Sequence, residues 1–204
     1  MERASHWNTV YSSKTEHEVS WTEARPEVSL QMLEAGGLTT ESCVIDIGGG
    51  NSRLVDALVE RGLTCLAVLD VSGVALDRAR ARLGAKAAIP RWIEADVTGA
   101  WTLSPVDFWH DRAVFHFLTD PDDRARYRQR LLETLQPGGS VILATFAPDG
   151  PERCSGLPVR RYSPEQLAAE MGPPFVLTAS RVHLHTTPWG GTQSFQYSLL
   201  RRLD

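Results

Sequence analysis

The sequence predicts a doubly wound α/β domain: a mostly parallel sheet with helices on both faces, ended by an antiparallel strand pair. Three observations predict it. Between about residues 43 and 146, short apolar runs alternate with longer segments of helical period, the pattern of parallel strands joined by crossover helices. The first of those runs enters a glycine turn, "VIDIGGGNS", that opens a helix. The last two runs, "FVLTASRVHLH" and "TQSFQYSLL", are joined by "TTPWGG", a turn-rich link suited to a hairpin.

Each element follows in order. The front segment "HWNTVYSSKTEHEVSW" carries Trp7, Tyr11 and Trp21, which either pin a leading helix onto the domain or form an aromatic lid. Pro26 opens a helix whose Val28, Met32 and Ala35 share a face, and Gly36-Gly37 closes it. "CVIDI" is the first strand, and the helix through "RLVDALVERG" ends at Gly62. "TCLAVLD" is the second strand; Ser72 caps the helix after it and Gly84 stops it. "RWIEADV" gives a short third strand, and a fourth ends near Trp109 to Asp111. The next helix starts at Asp120, with Pro121, Asp122 and Asp123 in its first turn, where carboxylates suit the positive end of the dipole. Tyr127, Leu131 and Leu135 face the sheet at intervals of four before Pro137-Gly138-Gly139 breaks the helix. "SVILATF" is the fifth strand, and a proline-rich loop leads to a short helix at "EQLAAE".

Composition bounds the function. The 204 residues, 42% of them hydrophobic, suffice for one substantial core and one domain. A net charge of −4 argues against a dedicated nucleic-acid binder, and the arginines between Arg124 and Arg130 read as a solvated helix face. Cys43, Cys65 and Cys154 are odd in number and widely spaced, which suits neither a disulfide framework nor a structural zinc site and points to a reducing cytoplasm. The first residues lack an apolar signal core, and no stretch approaches the roughly 18 apolar residues of a membrane span. The expectation is a cytoplasmic monomer or homodimer.

The glycine turn lets backbone approach a ligand closely. Asp70 ends the second strand 24 residues after Asp46, where a carboxylate can accept both hydroxyls of a ribose; the plainer reading is a cap for the following helix. Asp96, in "EADVT", falls at the third strand's end and can read an adenine amino group, or be a turn aspartate. Three acid-bearing strand ends in succession point to an adenosine site. Gly48, Gly50 and Ser52 alternate, which is not the G-x-G-x-x-G of a dinucleotide site, so an NAD-type oxidoreductase is the lesser reading.

With "DIGGGNS", Asp70, "ADV", "HDRAVFHFL" and "LQPGGSVILATF" in that order, the chain resembles the class I, seven-strand S-adenosylmethionine-dependent methyltransferases. Ser52 departs from the family, in which many members have a third glycine. The resemblance implies a Rossmann-like seven-stranded sheet of order 3-2-1-4-5-7-6 with one antiparallel C-terminal strand. It implies one methyltransferase domain over residues 1–204: a lid or helix segment to about 40, a cofactor-binding core over 41–147, and a substrate side from 148. It also implies S-adenosylmethionine as cofactor and S-adenosylhomocysteine as product. Asp46, Gly48, Gly49 and Gly50 would border the amino-acid end, Asp70 and Val71 the ribose, and Asp96 and Val97 the adenine. The front pattern "W…Y…SW…PE" looks like a subgroup that includes protein-lysine methyltransferases, with Trp7, Tyr11 and Trp21 over the cofactor.

"HDR" falls at the end of the fourth strand, facing the transferable methyl. His110 is the candidate base and cofactor neighbour; Asp111 would orient it or hold the cofactor's ammonium group, and Arg112 would bind an acidic acceptor. The plainer reading pairs Asp111 with Arg112 to close a loop. Cys154 is a candidate substrate contact, and His116 reads as packed. His183 and His185 share one strand face, but the sequence offers no identifiable third ligand, so no metal is expected. The expectation is methyl transfer to a small molecule. The alternatives are transfer to a protein lysine and a non-catalytic adenosine-binding module.

Overall fold

The computed structural model describes residues 2–204 and forms one seven-stranded sheet. Its strands are β1 (Val44–Ile47), β2 (Leu66–Asp70), β3 (Arg91–Glu94), β4 (Val106–Arg112), β5 (Leu135–Phe146), β6 (Phe175–Thr186) and β7 (Thr192–Arg202). In space they run β3-β2-β1-β4-β5-β7-β6. The first five pair in parallel, and β7 is antiparallel to both β5 and β6. This is the expected order, including the reversed strand and the terminal hairpin.

The helices are α1 (Glu2–Ser13), α2 (Glu27–Ala35), α3 (Leu54–Glu60), α4 (Gly73–Leu83), α5 (Pro121–Thr134) and α6 (Pro164–Met171). Alternation along the strands feeds two cores, one on each sheet face. Val44, Val68, Phe108 and Ile142 pack with α2 and α3 residues such as Leu33 and Leu54. Ile45, Leu69, Trp109 and Val141 pack with Tyr127 and Leu131 of α5 and Leu167 of α6. The helix ends follow from sequence chemistry. Ser72 accepts from the Ala75 amide, Asp120 from Asp122, and Ser163 from Gln166, each satisfying an N-terminal amide that the helix itself cannot.

Five details depart from expectation. Arg124 is buried and paired with Glu170 of α6, so it is not part of a solvated arginine face. Cys43 and Cys65 are joined as a disulfide. Each precedes its strand by one residue, and the parallel register Val44↔Leu66 brings the two side by side. Ala35 is exposed, while Val28 and Met32 are buried as expected, together with Leu30 and Leu33. β5 starts at Leu135, before the Pro137-Gly138-Gly139 break, with a register shift opposite Val106 and Phe108. The proline-rich loop contains a short antiparallel pair, Arg153–Cys154 with Leu157–Pro158. Among the described residues no helix is long and apolar enough to cross a membrane.

Candidate active site

A crevice opens at the carboxyl ends of β1, β2 and β4, where the strand order reverses between β1 and β4. This is where open α/β sheets place ligands. The glycine turn forms its floor. Gly48 has φ +66°, and a Cβ there would stand 2.1 Å from Val114 Cγ2. At Gly49 a Cβ would meet Asp46 Oδ2 at 2.3 Å, and at Gly50 it would meet Asp70 Oδ2 at 2.6 Å. The glycines therefore let two carboxylates lie against the turn's backbone.

Asp70 is buried; its Oδ2 accepts from Gly50 N–H at 3.0 Å and its Oδ1 from Ser72 N–H at 2.8 Å. Burial raises its pKa from 3.8 to about 6, with the nearby Asp46 adding to the rise and the backbone donors opposing it. Ser72, not Asp70, caps α4. Asp46 is buried too, and its Oδ2 has no hydrogen-bond partner among the described residues. Asp96 is half-buried and already engaged: Thr98 donates to Oδ1 from its amide and hydroxyl, and Arg3 Nη1 donates to Oδ2 at 3.0 Å. Burial opposes its ionisation, but these donors outweigh burial and hold its pKa below the usual range. Val71 and Val97 line the same crevice.

The front segment covers the opening. Trp7 lies with its ring centroid 5.8 Å from Trp21 and 5.2 Å from Phe117, while Tyr11 is 6.2 Å from Trp21. These rings form an apolar wall opposite the glycine turn. Burial, and then the charge of Asp70, push the Tyr11 phenol far above its ordinary pKa, so it stays neutral. Polar contacts hold α1 in place: Arg3 pairs with Asp96 and Asp123, and Asn8 accepts from the Ser72 hydroxyl.

Period-two alternation separates the polar run on β4. His110 points to the α2 side, where Nδ1 lies 2.7 Å from Asp46 Oδ1 and Nε2 lies 2.8 Å from Ser29 Oγ. In the neutral imidazole, Nδ1–H donates to the carboxylate and Nε2 accepts from the serine. Both nitrogens are thus engaged inside the protein. Asp111 points to the α5 side and is fully buried: it accepts from the Tyr127 hydroxyl at 2.7 Å and from the Val114 and Phe115 amides. Burial raises its pKa to about 6 against the pull of those donors. The group that orients His110 is therefore Asp46, and Asp111 instead anchors the turn after β4.

Arg112 returns to the α2 side. It donates from Nε to the Tyr197 hydroxyl at 3.0 Å and from Nη1 to the Trp21 carbonyl at 2.8 Å, with Nη2 3.1 Å from Glu23. It lies in the crevice wall, but its partners are internal, so it neither pairs with Asp111 nor offers a free fork to an acceptor. Cys154 lines the crevice as a buried thiol, pushed up by burial to about 11. His116 is buried, accepts from the Phe146 amide, and is pushed down to about 3 by burial and then Arg112, so it is neutral packing. Arg3, Ser29 and Phe117 complete the site without having been singled out in the sequence. Ser29, a polar residue between apolar Val28 and Leu30, is the one that carried a signal.

The family model described as "Methyltransferase domain" matches residues 44–139. No curated protein matches the chain significantly. Among solved structures, the Burkholderia thailandensis 1,6-didemethyltoxoflavin-N1-methyltransferase, crystallised with that compound and S-adenosylhomocysteine, is 18% identical with a TM-score of 0.71, covering 100% of this chain and 85% of its own. The N-methyltransferase NodS of Bradyrhizobium japonicum, in complex with S-adenosylhomocysteine, is 15% identical with a TM-score of 0.72, covering 97% and 98%. An Anabaena variabilis SAM-dependent methyltransferase is 17% identical with a TM-score of 0.75, covering 98% and 93%. These structural likenesses establish the fold. The glycine turn and all three acid-bearing strand ends lie inside the matched residues, and the family match and the shared fold together support a class I S-adenosylmethionine-dependent methyltransferase.

Proposed function

We propose that the chain transfers a methyl group from S-adenosylmethionine to a small-molecule acceptor, with a neutral nitrogen favoured as the attacking atom. One observation carries the reading: a crevice at the sheet's switch point has the Asp46 and Asp70 carboxylates on one side and the Trp7, Tyr11, Trp21 and Phe117 rings on the other. The residues fit the cofactor. The unpartnered Asp46 Oδ2 suits an ammonium donor, and the Asp70 carboxylate suits ribose hydroxyls. The aromatic wall suits a sulfonium, whose charge is attracted to ring faces.

When bound, S-adenosylmethionine supplies the methyl group by in-line displacement and leaves as S-adenosylhomocysteine. The chain's own residues bind, orient and exclude water. Asp46 and Asp70 would hold the cofactor's amino-acid end and its ribose against the glycine turn. His110, tied to Asp46 and Ser29, positions Asp46 rather than taking a proton. Trp7, Tyr11 and Trp21 keep water from the reacting atoms. The covering front segment favours an acceptor small enough to sit beneath it over a protein lysine. The nitrogen preference draws on the two N-methyltransferases of the same fold.

The test is a mass-spectrometric screen for S-adenosylhomocysteine release with amines, thiols, phenols, carboxylates and a lysine-bearing protein as acceptors. Release that depends on a small amine supports the proposal. Release with the protein alone would favour lysine transfer. Tight S-adenosylhomocysteine binding with no transfer would favour a binding module, and NAD binding in its place would favour an oxidoreductase.

A further inference from the structure

His183 and His185 sit two residues apart on β6, so alternation puts both imidazoles on one sheet face. Glu23, from the segment between α1 and α2, reaches the same point, and one ligand atom from each residue lies within 4.8 Å of the others. We propose that Glu23, His183 and His185 form a binding site for a divalent transition-metal ion of the zinc class, which clamps the front segment to the sheet.

The donor set is two imidazoles and one carboxylate, a combination that holds zinc while leaving a fourth position for water or another ligand. His185 Nδ1 lies 3.6 Å from a Glu23 carboxylate oxygen. Two ligands of a tetrahedral zinc with bonds of about 2.0–2.1 Å stand roughly 3.4 Å apart, so this pair is nearly in place. His183, half-buried at the sheet edge, closes the remaining distance by a side-chain adjustment.

The surroundings are also built as an outer layer. His185 presents its Nε2 to the Ser20 carbonyl at 2.6 Å, which leaves Nδ1 as the metal-facing atom. Glu23 is held by Arg112 at 3.1 Å. Phe195 and Tyr197 lie against the two imidazoles. The Arg112 guanidinium is a like charge to any cation, so the site selects an ion that bonds well to imidazole over calcium or magnesium. The inference concerns metal binding and stands apart from methyl transfer.

The experiment titrates untagged, chelator-treated full-length protein with Zn²⁺ by calorimetry, then with Co²⁺ by visible absorption, without cofactor. The expected result is one ion per chain, with affinity reduced at least about tenfold in His183→Ala and in Glu23→Gln. Zn²⁺ raises the thermal midpoint of the wild type but not of His183→Ala, whose midpoint without metal matches wild type because His183 is on the sheet edge. The proposal is overturned by absence of saturable Zn²⁺ binding, by unchanged affinity in His183→Ala, or by Mg²⁺ binding as tightly as Zn²⁺. Loss of binding on replacing His6 and His17 alone would overturn it too.

Discussion

Under the proposed function, lowering the pH from 7 to 5 should weaken S-adenosylhomocysteine binding about tenfold, because the Asp70 carboxylate would hold the ribose. Asp70 is buried against the glycine turn, and burial raises its pKa to about 6. Roughly nine-tenths of the free protein is then ionised at Asp70 at pH 7, and roughly one-tenth at pH 5. Only the carboxylate can accept from both ribose hydroxyls, so apparent affinity falls with that fraction. Calorimetry at half-unit pH intervals reads the midpoint directly. Asp70→Asn should bind weakly with no slope across this range. The sign for folding is opposite. With a folded pKa above 3.8, Asp70 holds its proton more tightly in the folded chain, so a penalty of ~3 kcal/mol develops as pH rises from about 4 to about 6 and is complete above it. Asp70→Asn should therefore lose affinity at pH 7 while its urea stability stays within ~1 kcal/mol of wild type, the lost acceptor offsetting the removed charge. Wild-type affinity that is flat from pH 7 to 5, or an equal slope in the variant, would refute the reasoning.

Three further outcomes follow from the geometry. Gly48→Ala forces a side chain into a φ of +66° and onto Val114, and should lower stability by ~2–4 kcal/mol; an unchanged urea midpoint would contradict the close approach. His110→Ala removes the partners of Asp46 and Ser29, so turnover and cofactor affinity should fall together; a loss of kcat at unchanged Kd would restore His110 as a base. Arg3→Ala releases α1 from Asp96 and Asp123, and should weaken cofactor binding severalfold with little change in Tm; unaltered binding would show that α1 is held by its aromatic residues alone.

The strand and helix order was legible because its signals are local. Gly62, Ser72, Gly84, Asp120 and Pro121 mark ends by their own backbone and side-chain chemistry, and all fall at or within two residues of element ends. The cysteine pairing was not legible. A separation of 22 residues carries no information until β1 and β2 are placed side by side in parallel register. Glu23 as a partner for His183 and His185 was hidden for the same reason, since it lies far away in sequence and arrives through the path of the front segment. Asp70's position beside the glycine turn was legible because strand, turn and carboxylate form one local unit.

The run "HDR" shows where local reading of a site stops. Adjacent polar residues at a strand end invite a reading as one cluster, yet a strand sends neighbours to opposite faces. On β4, Asp111 joins Tyr127 beneath α5, while His110 and Arg112 share the other face and divide there between Asp46 and the front segment. The residues that cooperate with His110 are therefore found across the sheet and on α2, not beside it in sequence. Asp46 is its direct neighbour through the β1–β4 register, in which the two are paired. That pairing connects the glycine turn's strand to the strand whose His110 and Arg112 line the same crevice. Under the proposed function, a change at Ser29 or His110 thus reaches the cofactor through Asp46 before it reaches any acceptor.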